Sequence, residues 1–181
     1  EFRRVLFRSR RRVLRVPVDG QGRLRAAALP RIHGPTLVVT QAGNVNTGAV
    51  DPVGDVVDAT QGTGAWVHVD GAFGLWALAS AERRPLLAGV ERADSWATDA
   101  HKWLNVPYDS GLAFVRDGNA LRAAMSVSAD YLPAGAGDQR NPSDTTPELS
   151  RRARGVDVWV ALRTLGRAGM ADLVDRNCAH A

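Results

Sequence analysis

The chain has 181 residues, 45% of them hydrophobic and 23% charged, which is enough apolar content for one domain with a core and too much for a disordered chain. A single cysteine, Cys178, excludes an intramolecular disulfide framework and a multi-cysteine metal site and fits a reducing, cytoplasmic setting. The net charge of +4 is local, because six arginines against one glutamate in the first twelve residues leave −1 for all the others, and no apolar run approaches the roughly 20 residues of a membrane span.

The opening Glu-Phe-Arg-Arg-Val-Leu-Phe-Arg-Ser reads as a translated adapter, so residues 1–9 are set apart as non-native; the alternative is a basic arm that binds nucleic acid or anionic lipid. Val13 to Val18 is expected to be a strand and Gly20 to Gly22 the turn after it. Thr36 to Thr40 is a β-branched run that predicts a strand buried on both faces. The loop from Gln41 to Val50 follows. Asp51-Pro52 offers an N-cap and a first-turn proline to a helix carrying Val53, Val56 and Val57, and Gly62 to Gly64 end it. Trp66 to Asp70, Ala93 to Ala97 and Gly111 to Val115 predict three further strands, the first two separated by a Gly-rich apolar stretch. Tyr131 to Pro147 reads as a long exposed loop. Val158, Trp159, Leu162 and Leu165, then Met170, Leu173 and Val174 beyond Gly166, predict two amphipathic helices. Strands alternating with helical segments indicate an α/β domain with a mostly parallel sheet.

Of the 23 basic residues only Lys102 is lysine. An arginine cannot replace an amine that must lose its proton and attack a carbonyl, because the guanidinium stays charged. In a parallel α/β sheet, ligands bind beyond the carboxyl ends of the strands. Three polar groups fall there: the loop with Asn44, Asn46 and Thr47, then Asp70, then His101-Lys102. Each has an ordinary alternative, with Asp70 capping a turn, Asn44 to Gly48 forming one, and His101 serving the structure. Together they meet the needs of pyridoxal phosphate (PLP): an amine for its aldehyde and a carboxylate to keep the pyridine nitrogen protonated. Gly71 and Ala72 leave room for a flat ring beside Asp70, and Thr98 and Ser95 are candidate phosphate ligands.

Trp66-Val-His-Val-Asp-Gly-Ala-Phe-Gly74 and Ala93-Asp-Ser-Trp-Ala-Thr-Asp-Ala-His-Lys-Trp-Leu-Asn-Val-Pro-Tyr-Asp-Ser-Gly111 strongly resemble the group II PLP-dependent amino-acid decarboxylases, which include the aromatic amino-acid and glutamate enzymes. Thr40 to Pro52 and Pro147 to Arg154 resemble the same family's flanking segments. The resemblance implies a partial fold type I large domain over residues 10–181, with an N-terminal portion and a small C-terminal domain lying outside it. It further implies a Schiff base on Lys102, Asp70 at the pyridine nitrogen, Ala72 on the ring face, His101 near the phosphate and Asn44 near the ring. The implied reaction is decarboxylation of an L-amino acid in a cytoplasmic homodimer with no nucleic-acid or membrane partner; this chain alone is expected to be inactive. Two departures from the family pattern stand out: Asp99 replaces the asparagine of several relatives, and the loop before Ser150 has Thr145 and Thr146 where a proton-donating tyrosine is common. Aminotransfer, aldol cleavage and a non-catalytic role are the alternatives, and the substrate stays open among glutamate, aromatic and diamino acids.

Overall fold

The computed structural model describes residues 13–126 and 141–181. Its centre is a four-stranded sheet in the order β1 (Thr36–Gln41), β2 (Ala65–Asp70), β3 (Ser95–Asp99) and β4 (Gly111–Val115). The first three strands run parallel and β4 returns antiparallel to β3. This is the expected mostly parallel sheet.

Strand alternation gives the sheet two unequal faces. Val38, Thr40, Val67 and Val69 are buried on one face, where α1 (Val53–Thr60) presents Val53 and Val56 and the connection to β3 adds Leu87, Val90 and Ala93. That connection is not a regular helix but three short 3-10 turns, Leu75–Ala79, Arg84–Leu87 and Val90–Arg92. On the other face Leu37 is 63% and Val39 54% exposed, so the described residues cover β1 on one side only, where its all-apolar pattern predicted two.

The segment from Val13 to Val18 is not a strand. It makes one isolated antiparallel bridge, Val18 to Leu24, around a turn in which the Asp19 carboxylate accepts from the Gln21 and Arg23 amides. Val13, Leu14 and Val18 face solvent, and among the described residues no neighbouring strand offers the partners that would extend that bridge into a ladder. Asp51 also differs from expectation, because Pro52 takes the N-cap position of α1 and no side chain caps it. The Asp51 carboxylate is buried instead, accepting the Leu24 amide on one oxygen and the Gln41 amide on the other, each at 2.7 Å.

A helix that the sequence reading did not identify, α2 (Gly118–Met125), begins after Asp117, whose carboxylate accepts from the Asn119 amide. The expected loop from Tyr131 to Pro147 lies largely outside the described residues; its described part holds a 3-10 turn at Pro142–Asp144. The final helix, α3 (Arg154–His180), breaks at Gly166 with φ 62° and ψ −174°, where two helices were expected to meet. Val158 and Met170 of α3 pack on Ala100, Leu104 and Val106, so the segment carrying Lys102 rests on its own small core. Asp175 ties α3 to the sheet connection by accepting from the Ser80 hydroxyl and the Arg83 guanidinium, both at 2.6 Å.

Candidate active site at the strand ends

The register places Gln41 beside Asp70 and Asp70 beside Ala97, so β1 and β2 end level and β3 runs on to Asp99 at the same end of the sheet. Backbone hydrogen bonds continue past the strands: Ala42 N–H donates to Asp70 O at 2.8 Å, Gly71 N–H to Ala97 O at 2.8 Å and Gly74 N–H to Ala42 O at 2.9 Å. A Cβ on Gly74 would sit 2.5 Å from Ala42 O, and one on Gly43, whose φ is +91°, 2.9 Å from Gly74. Two backbones therefore touch here as only glycine allows. This contact fixes the turn that carries Ala72 and Phe73.

Asp70 is exposed at the tip of β2, and its carboxylate accepts the Ala72 amide at 3.1 Å. Lys102 follows β3 in a turn closed by Asn105 N–H donating to Lys102 O, with Asn105 in the left-handed region at φ 56°. Its ammonium lies 2.8 Å from Asp99 Oδ2 and 3.7 Å from the centroid of the Phe73 ring. One contact is an ion pair and the other a cation–π contact.

His101 is held through Nδ1, which accepts the Ser110 amide at 2.9 Å, while its ring packs against Tyr108 with centroids 4.2 Å apart. The same nitrogen lies 3.0 Å from the Ser110 carbonyl oxygen, and Nε2 faces Asp99 Oδ2 at 3.7 Å. Next to Ser110, Arg154 binds the Asp109 carboxylate and carbonyl, and its guanidinium holds the Asp109 carboxyl below the usual carboxylate range. Arg152 adds a second bond to the same carbonyl, so α3 anchors the turn that orients His101.

Asp70, His101 and Lys102 are thus brought to one edge, with Ala72 on the turn beside Asp70. Asn44 lies at the same edge, but its side chain is engaged in its own loop: it donates to Gln41 and accepts from the Asn46 and Thr47 amides. Thr98 does not present a phosphate donor. It is buried, and its one hydroxyl proton goes to Gly71 O at 2.9 Å. Ser95 stands at the opposite end of β3 and bonds Trp66 and His68. The absent side chain of Gly71 makes room for Leu75 and the Ala97 carbonyl, which a Cβ there would meet at 2.6 and 3.1 Å.

The sequence reading passed over Phe73, Ser110 and the Arg154–Asp109 pair. Nothing in their spacing marks them, since each acts through a contact between segments distant in the chain. Asp99 was marked as a charge standing where several relatives of the resembled family carry asparagine.

A family model described as the pyridoxal-dependent decarboxylase conserved domain matches residues 12–181. An aromatic-L-amino-acid decarboxylase of Bacillus atrophaeus is 31% identical over 95% of this chain and 38% of its own length. Among solved structures, mouse CSAD superposes with a TM-score of 0.80 at 28% identity, over 91% of this chain and 36% of that one. An Oryza sativa TDC solved with PLP and tryptamine gives 0.70 at 36% identity, over 75% of this chain and 28% of that one. The chain therefore spans well under half the length of these relatives, and it belongs to the pyridoxal-dependent decarboxylase family.

Proposed function

We propose that this chain carries the lysine-bearing part of a PLP site and that the intact protein decarboxylates an L-amino acid. The observation that carries the reading is one lysine amine at the strand edge where the Asp70 carboxylate ends. The donor set fits the cofactor: an amine for an aldehyde, a carboxylate for a pyridinium nitrogen, and a small residue, Ala72, next to that carboxylate. When bound, PLP would accept the electron pair left by the departing carboxylate.

Lys102 would hold the cofactor and later yield it to the substrate amine. Asp70 would keep a proton on the ring nitrogen, since a neighbouring carboxylate favours the charged heterocycle. His101, fixed at Nδ1 by Ser110, would turn its Nε2 edge toward an anionic group. Asn44 would line the site with its loop held rigid by its own hydrogen bonds. Thr98 would act indirectly by securing the Gly71 turn.

Residues 10–181 would then be part of a fold type I large domain, with residues 1–9 foreign to it. A second copy would complete the site in a cytoplasmic homodimer. Among the described residues no helix is long and apolar enough to cross a membrane.

The test is the absorbance spectrum of the intact protein with PLP, followed by borohydride reduction and peptide mapping. The expected result is an adduct on Lys102, lost in Lys102→Ala, with amine and carbon dioxide as the products from an L-amino acid. Failure of the intact protein to form that adduct would end the PLP reading, and a keto acid or aldehyde product would instead place the reaction among other α-carbon chemistries.

A further inference from the structure

Lys102 does not stand free at the strand edge. Its ammonium is held on one side by Asp99 Oδ2 at 2.8 Å and on the other by the Phe73 ring at 3.7 Å. The two partners differ in how firmly they are placed. Asp99 is the last residue of β3: it pairs with Gly111, and its carbonyl accepts the Trp76 indole N–H at 3.0 Å. Lys102 lies three residues on, in a turn, at the end of a flexible stem. The ion pair is shielded on both sides, the two side chains being 29% and 25% exposed.

We propose that Asp99 is a positioning residue that latches Lys102, and that capture of an aldehyde-bearing phosphate at Lys102 requires the latch to open. This rests on the reading of Lys102 as the cofactor lysine. An amine adds to an aldehyde only as the free base: nitrogen bonds to the carbonyl carbon, the carbonyl oxygen leaves as water, and the ammonium's proton passes to solvent. The contacts to Asp99 and Phe73 are made by the ammonium and have to be given up before the amine can reach an aldehyde carbon. The Asp99 charge also opposes any anion that approaches the same corner. His101 supplies the alternative partner, because its Nε2 lies 3.7 Å from the same Asp99 oxygen. When Lys102 departs, Asp99 keeps His101 Nε2 as its nearest remaining polar neighbour at that corner.

The experiment compares wild type, Asp99→Asn and Phe73→Leu in the intact protein freed of cofactor. Phenyl isothiocyanate, an uncharged reagent that attacks neutral amines, is added and labelling at Lys102 is followed by peptide mapping. PLP affinity is measured on the same samples by titration. Asp99→Asn keeps the shape and removes the charge, so it should speed labelling and tighten PLP binding by about threefold to tenfold, the range expected for one partly shielded ion pair. Phe73→Leu should act in the same direction and less. Unchanged or slower labelling in a folded Asp99→Asn protein overturns the proposal. Should that variant not fold, wild-type labelling in low and high salt decides: faster labelling at high salt supports the latch, and no change overturns it. An adduct at Lys102 with no effect of Asp99→Asn removes the latch and leaves the cofactor reading. Faster labelling without any PLP adduct does the reverse.

Discussion

Gly74→Ala tests whether the contact between the β1 and β2 end loops holds the site together. The added Cβ would lie 2.5 Å from Ala42 O, 2.8 Å from Ala42 C and 3.0 Å from Gly43 N, where ordinary contact begins at 3.4 Å. Gly74 itself has φ −103° and ψ −9°, which alanine adopts freely, so the cost is contact and not dihedral strain. The neighbour is backbone and cannot rotate away, so the loops must part by about 0.9 Å. Overpacking of this kind costs about 1–3 kcal/mol, and weakening the Gly74–Ala42 hydrogen bond adds about 1 kcal/mol. A loss of about 2–4 kcal/mol is therefore expected in urea unfolding followed by circular dichroism. Gly118→Ala is the control: a Cβ there meets nothing within 4 Å at the first position of α2, and a change within about 1 kcal/mol, on the stabilising side, is expected. A Gly74→Ala protein within about 0.5 kcal/mol of wild type would refute the close-approach argument.

Asp51→Asn should destabilise by roughly 2–3 kcal/mol, because one of two backbone donors then faces an NH₂ group in a buried site. Faster hydrogen exchange at Leu24 or Gln41 would register it, and unchanged exchange at both would count against the clip. His68 supplies a pH dependence. Burial lowers its pKa from the ordinary 6.5, with the Asp70 charge pulling weakly the other way. The unfolded chain then takes up a proton at higher pH than the folded one, so stability should fall as pH drops through 6.5 and level off below the folded-state value. Urea midpoints between pH 8 and 5 should show this slope, and His68→Gln should flatten it; an equal slope in the variant would assign the effect elsewhere.

The sheet was legible because its strands announce themselves locally. Trp66 to Asp70 alternates, Gly111 to Val115 is bounded by turns, and both occur where expected. Val13 to Val18 has a similar composition but, among the described residues, meets only Leu24 through a single bridge, and a strand needs a neighbouring strand. The burial of Leu37 and Val39 was over-read for a related reason, since an apolar run does not say whether a layer covers each face. At the candidate site, the placement of Asp70, His101 and Lys102 beyond the strand ends was legible, because each directly ends or follows a strand that announces itself locally. Thr98 misled because a hydroxyl's partner is invisible in sequence, and here that partner is the Gly71 carbonyl. Phe73 and the Arg154–Asp109 anchor depend on distant segments meeting, which no local pattern records.

The antiparallel return of β4 bears on the order in which the site is assembled. Asp99 and Gly111 are ladder partners, so residues 100–110 form a loop closed at its mouth by neighbouring strands. Such a hairpin joins residues close in sequence, whereas the pairings that flank Asp70 require the longer crossovers 42–64 and 71–94 to close first. The amine is consequently framed by a local folding event and the carboxylate by two non-local ones. A disturbance that slows the parallel crossovers is therefore expected to delay the surroundings of Asp70, and with them the Phe73 contact to Lys102, more than the β3–β4 pairing itself.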